Sequence, residues 1–282
     1  MTRTRREQKR QTSENNDWLR RIEAMSKAVD VWQSRATNPP PVEPGSSLAA
    51  DSVEGLNVEN PVWYSMCIST EHLKFAIDAM RATSTMYPTA YLTVARTAYV
   101  AAVNAVWVLA PPMRQDRRER ALRVRADGLR LQMSALRSMQ LPDGKPDEAR
   151  NGVIAQLRQR QSELQSVAER LGMKENVTKM KFNQTSAIDW VVRHMHGADE
   201  GFLVGANQSV WRSGSAAAHG QYDFGVMRQG SNEVVRTDDG GSVVRLRGDL
   251  DNDVGPALGA SFVALTEAFR LYDLQRVPPA RA

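Results

Sequence analysis

Residues Tyr91–Ala110, "YLTVARTAYVAAVNAVWVLA", decide the fold. The run is close to the roughly 20 apolar residues that a bilayer requires. It also carries Arg96 and Asn104, and an arginine near the centre of a span costs at least ~2.5 kcal/mol. No second span exists to pair with it. The stretch therefore reads as a buried core helix. Ala95, Ala98, Ala101, Ala102 and Ala105 permit close approach of neighbouring helices, and Pro111-Pro112 ends it.

Around this helix the chain reads as an all-α bundle. Its apolar fraction of 41% with 24% charge is ordinary for a globular chain of 282 residues, and aromatics are sparse at 6%. Ala, Val, Leu and Met supply most of the apolar content, which favours packed helices over a β-sandwich. Three regions are expected. Residues 1–37 form a basic N-terminal helix, with Trp18, Ile22, Met25, Val29 and Trp32 on one apolar stripe. Residues 38–58 read as a linker, because Pro39, Pro40, Pro41 and Pro44 forbid helix there. Residues 59–276 make the helical domain.

Within that domain Leu73, Phe75, Ile77 and Met80 are expected to supply apolar contacts. Residues 114–171 read as a long, protruding antiparallel helical hairpin, turned at "LPDGKPDEA". Its expected inward residues are Leu122, Leu129, Met133 and Leu136 on the first helix, and Val153, Leu157, Leu164, Val167 and Leu171 on the second. Residues 231–248 place two β-like runs around Asp238-Asp239-Gly240-Gly241, a hairpin signal, before a C-terminal helix from Pro256 to Leu274. That helix lines up Leu258, Phe262, Leu265, Phe269 and Leu271.

Charge and cysteine content bound the function. The formal net charge is +5. Arg114, Arg117, Arg118, Arg120, Arg123 and Arg125 crowd one helix of the hairpin, either as a solvated face or as a nucleic-acid-binding ridge. Six neutralised phosphates would give a log–log salt slope near about −4 on single strands. Cys67 is the sole cysteine, which excludes an internal disulfide and Cys-based zinc sites and makes a reducing cytoplasm the default. The basic N-terminus has no apolar run after it, so no secretory signal is read there. Phosphate-binding loops, dinucleotide fingerprints, HExxH and the Gly-x-Ser-x-Gly elbow are missing from the sequence. His194 and His196 would diverge by ~200° on a helix, so they read as surface or capping groups. No metal or cofactor is expected.

One stretch carries chemistry. In Ser209–Gly220, "SVWRSGSAAAHG", Arg212 and His219 are seven residues apart. On a helix they fall nearly in line, about 10.5 Å apart along the axis. Ser215 shares their face. The bland alternative is a small-residue packing seam whose histidine ends the helix before Gly220.

This Arg-x6-His spacing resembles the motif of the HEPN superfamily of α-helical proteins. The similarity extends to the order of "ARTAYVAAVNAVWVLAP", the basic helix, "TSAIDWVV" and a Ser-x3-His-Gly ending at Ser215–Gly220, over about residues 65–225. The resemblance implies RNA as substrate and metal-independent cleavage in a homodimer, possible in a toxin or phage-defence setting with a neutralising protein partner. Arg212 would steady the scissile phosphate, His219 would move a proton and Ser215 would sit beside them. Gly214, Ser215, Ala216 and Ala218 would let two copies of the helix approach. The competing expectation is a non-catalytic assembly protein whose basic hairpin binds a partner.

Overall fold

The structure, a computed structural model, describes residues 5–139, 148–228 and 232–279. The fold is mostly α, as the sequence implies. In chain order the described elements are α1 (Arg5–Thr37), α2 (Ser47–Asp51), α3 (Glu59–Thr83), α4 (Ala90–Leu109), α5 (Arg114–Ser138), α6 (Glu148–Arg170), α7 (Gln184–His196), α8 (Gly201–Ala218), α9 (Tyr222–Val226), β1 (Asn232–Arg236), β2 (Ser242–Leu246), a π-helical turn (Leu250–Val254) and α10 (Gly255–Gln275). They assemble into two compact units. The described residues of the first lie within 1–40, 64–106 and 185–270, and those of the second within 41–63, 107–184 and 271–282.

In the first unit, α1 buries Ile22, Met25, Val29 and Trp32, the stripe read from the sequence. Trp32 stacks on Phe269 at 5.0 Å between ring centroids and tilts against Phe262 at 5.2 Å. Trp18 sits so close to Gly255 that a Cβ there would come within 2.5 Å of its ring, so the α1–α10 packing requires glycine at that position. On α3, Leu73, Ala76 and Ile77 are buried, whereas Phe75 is exposed: its expected core place is taken by its neighbours. Among the described residues α4 is the one helix long and apolar enough to cross a membrane, yet 61% of its apolar window is buried inside the protein. Ala95, Ala98, Ala102, Val103 and Val106 have no more than 1% exposure between them, which is how a core helix packs.

In the second unit, α5 and α6 form the expected antiparallel hairpin. Leu122, Leu129 and Met133 face Leu157, Leu164 and Val167 in a buried seam. Val153 is exposed and Ile154 is buried in its stead, a shift of one residue in the helical register. Most of the predicted turn between the helices lies outside the described residues.

The stretch read as a linker is different from expectation. Residues 41–58 belong to the second unit, and Leu48, Asp51, Leu56 and Val58 are buried. The prolines occupy its start, and Ser46 then caps α2 by accepting the Ala49 N–H. Prolines stop a helix but do not stop a chain from packing.

The predicted β-hairpin forms, with Val234 opposite Val244 and Val235 opposite Val243. Its loop closes when the Thr237 N–H donates to Gly241 O at 3.0 Å, with Gly240 at φ +82°. Residue 231, the first of the expected range, lies outside the described residues. After β2, Asp249 accepts from the N–H groups of Asp251 and Asn252 and so caps the π-helical turn.

That turn presents Asp253 to Arg228, with 3.4 Å between Oδ2 and Nη1. Burial pushes the Asp253 carboxyl up from its ordinary 3.8 to about 6, against the pull of Arg228 and with a further push from Asp249. A carboxyl raised in the folded state binds its proton more tightly there than in the unfolded chain. Its contribution to stability is therefore greatest at low pH and is lost as pH rises through that range. The melting temperature of the unmodified protein minus that of Asp253→Asn should accordingly fall between pH 4 and pH 6.5 and level off above it. Thermal melts across this series check the sign.

Candidate functional site

The helix α8 presents three different faces, and Gly214 fixes which is which. Gly214 packs on α4, where a Cβ would come within 2.4 Å of the Arg96 Cβ and 2.6 Å of the Leu92 carbonyl oxygen. Elsewhere on α8, Val204 and Ala216 are also buried. Ser215 accepts a 2.7 Å hydrogen bond from Arg96 Nε. The small-residue run is thus a packing seam within one chain. Gly214, which was expected to admit a second copy of the helix, is occupied by α4 instead, and Ala216 turns to a cavity beside the helix end. Ala218 remains exposed.

Arg212 and His219 lie on the opposite, solvent-facing side. Arg212 donates to Gln208 Oε1, one turn back, at 3.1 Å. His219 is the residue at which the helix stops. Gln221 N–H donates to Ala216 O and Gly220 N–H to Ala217 O, with Gly220 at φ +62°. This is a Schellman ending, which requires a residue in the left-handed region just past the cap and so explains the His-Gly pair. The helix ending involves the backbone of His219 and leaves the imidazole in solvent.

The structure brings Arg212 and His219 onto one face, as expected, and draws Ser215 away from them to Arg96. Sequence reasoning noted Arg96 only as an obstacle to membrane insertion. A single guanidinium in an apolar helix needs an acceptor, and that was the signal for a polar contact on a facing helix.

Of the eight arginines of α5, the six read as a candidate ridge mostly have partners within the chain. Arg117 is buried and spends every N–H it has. Nε donates to Asp51 Oδ2 at 2.5 Å, and Nη2 donates to Asp51 Oδ1 and Ser47 Oγ. Nη1 donates to the carbonyls of Pro111 and Pro112. Arg118 donates to the carbonyls of Ala50 and Asp51, closing the end of α2. Arg120 donates to Trp107 O and lies over its indole ring at 4.9 Å, and burial lowers its pKa. Arg123 pairs with Glu175 at 2.9 Å, and Arg114 reaches Asp51 at 3.3 Å. Arg125 is half-buried, its pKa lowered by burial and by Arg160. The Arg117 guanidinium, already saturated by carboxylate, hydroxyl and carbonyl oxygens, has nothing left for a phosphate, whereas Nη1 of Arg118 has no partner among the described residues.

Other reactive groups are quiet. Burial and then Glu71 push the Cys67 thiol up, away from the thiolate that a nucleophile needs. His72, its neighbour in sequence, bonds Ile68 O instead. His194 stacks on Trp190 and lies 3.4 Å from Glu267. Among the described residues no three His, Cys, Asp or Glu side chains gather as a metal site. Comparison with family models, with curated proteins and with solved structures finds no match.

Two substitutions test this geometry. Alanine normally stabilises a helix interior over glycine by about 1 kcal/mol. Gly214→Ala should instead destabilise, by the ~1–3 kcal/mol typical of overpacking, and lower the melting temperature. Arg117→Ala leaves the buried Asp51 with only the half-exposed Arg114 at 3.3 Å and should cost about 3 kcal/mol, measured by thermal or urea unfolding.

Proposed function

We propose that the solvent-facing side of α8 contacts RNA, and that Arg212 and His219 act on one phosphodiester as a metal-independent endoribonuclease. The observation that carries this reading is the joint exposure of Arg212 and His219 on one face of one helix, the two residues whose spacing resembles the HEPN motif. The chemistry asks little of the protein, because the ribose 2′-OH is the nucleophile. His219 takes its proton, Arg212 stabilises the charge that builds on the phosphate, and the bond to the 5′ oxygen breaks to leave a 2′,3′-cyclic phosphate. Positioned proton transfer contributes roughly 10²–10⁴-fold. A single copy supplies one imidazole, so a homodimer brings the second that protonates the leaving oxygen. In this reading the exposed surface around Arg212, rather than the Gly214 seam, faces the partner copy. The setting is the reducing cytoplasm that one unpaired cysteine suits.

Purified protein incubated with total RNA tests it. Cleavage should persist in EDTA, leave cyclic phosphate ends, and vanish in His219→Ala and in Arg212→Ala. Both side chains are exposed, so neither change should move the melting temperature appreciably. Sedimentation of the unmodified protein should show a dimer at micromolar concentration; a monomer sinks the two-imidazole mechanism.

One observation favours a second reading, a non-catalytic assembly protein. Gly214 and Ser215 are consumed by packing within the chain, while Arg114 on the hairpin keeps half of its side chain exposed to a partner. Absence of both cleavage and RNA retention at low salt would leave that reading standing.

A further inference from the structure

A cavity of about 300 Å³ opens beside the end of α8, within the first unit. Ala217 of α8, Gly220 just past its end, Phe224 of α9, and Val244 and Leu246 of β2 form much of its wall, together with Arg228. The volume sits at the small end of the range for ligand sites. At the ~30 Å³ that each water takes in the liquid, it has room for about ten non-hydrogen atoms.

Thr89, Ser213, Gln221 and Tyr222 add polar groups to this largely apolar space, and Arg228, a lining residue that carries a charge, gives it a chemical preference. Its side chain is only 8% exposed. Nη1 donates to Pro88 O at 2.7 Å and lies 3.4 Å from Asp253 Oδ2, long for a charge-assisted bond. Nη2 is buried and has no acceptor among the described residues. Buried N–H donors are ordinarily satisfied, and a guanidinium offers two of them at this nitrogen. A small turn of the side chain toward the cavity that Arg228 lines would give Nη2 an acceptor there, and negative charge suits it best.

We infer that this cavity binds a small apolar carboxylic acid as its anion, with the hydrocarbon against Phe224, Val244 and Leu246 and the carboxylate on Arg228. The site is separate from the Arg212–His219 surface and does not rest on the RNA reading.

Isothermal titration of the full chain with hexanoate, octanoate and octan-1-ol is the test. Octanoate should bind saturably with one site per chain. Each methylene added between hexanoate and octanoate should tighten binding by about fourfold. Octan-1-ol, equal in chain length but uncharged, should bind at least about tenfold more weakly. Arg228→Gln should erase the difference between acid and alcohol. Because that change also leaves Asp253 without its partner, a second variant guards the test. Ala217→Phe fills the cavity from a half-buried helix position and should abolish octanoate binding while keeping helical content. Three results overturn the proposal: no saturable octanoate binding, equal affinity for octan-1-ol, or undiminished octanoate binding by folded Ala217→Phe.

Discussion

The contact between Gly214 and α4 sets the orientation on which the candidate site depends. With no side chain at 214, the α8 backbone comes within what would be a 2.4 Å clash for a Cβ. That single approach fixes the rotation of α8 about its own axis. Once Gly214 faces α4, a period of 3.6 residues puts Arg212 and His219 in solvent and leaves Ser215 at the edge, in reach of Arg96. The cavity beside the helix end follows from the same rotation, since Ala217 and Gly220 then turn toward α9 and β2. A glycine that looks costly for helix propensity is thus the residue that orients every functional group on its helix.

The second unit is organised by Asp51 and Arg117 in the same decisive way. Asp51 has no exposure at all, and its carboxylate accepts from both the Nε and Nη2 of Arg117. Burying such a pair gains little over a well-packed apolar one, but breaking it is expensive. The pair therefore acts more as a registration device than as a source of stability. It specifies where a short, proline-led segment must sit against α5, and Arg118 and Arg170 reinforce this by donating to carbonyls of the same segment.

Periodicity made the helices legible. The α1 stripe, the central place of α4, the α5–α6 hairpin and the β-hairpin all follow from spacing that local physics enforces. What escaped was tertiary. Residues 41–58 read as a linker because prolines dominate their composition, yet Asp51, Leu48 and Leu56 were already the marks of a segment with something to bury. The arginines of α5 read as a candidate ridge because a count of charges cannot show their acceptors, which lie some 66 residues away for Arg117. At α8 the face shared by Arg212 and His219 was legible from their separation alone. The diversion of Ser215 to Arg96 was not, because it depends on a helix 119 residues distant. Arg228 went unnoticed for a similar reason: its significance lies in an acceptor that it lacks.

Both compact units are discontinuous in sequence, each drawing on three separate stretches of chain. A ribosome delivers residues in order, at about 5–20 per second, and a domain usually folds once its last segment has emerged. Here the first unit awaits α10, and the second needs residues beyond 270 as well. Neither can complete while the other is still being made. For most of its synthesis the nascent chain must hold α4, its most apolar helix, without the partners that cover it. That helix therefore waits longest for its cover, and the two units become mature almost together.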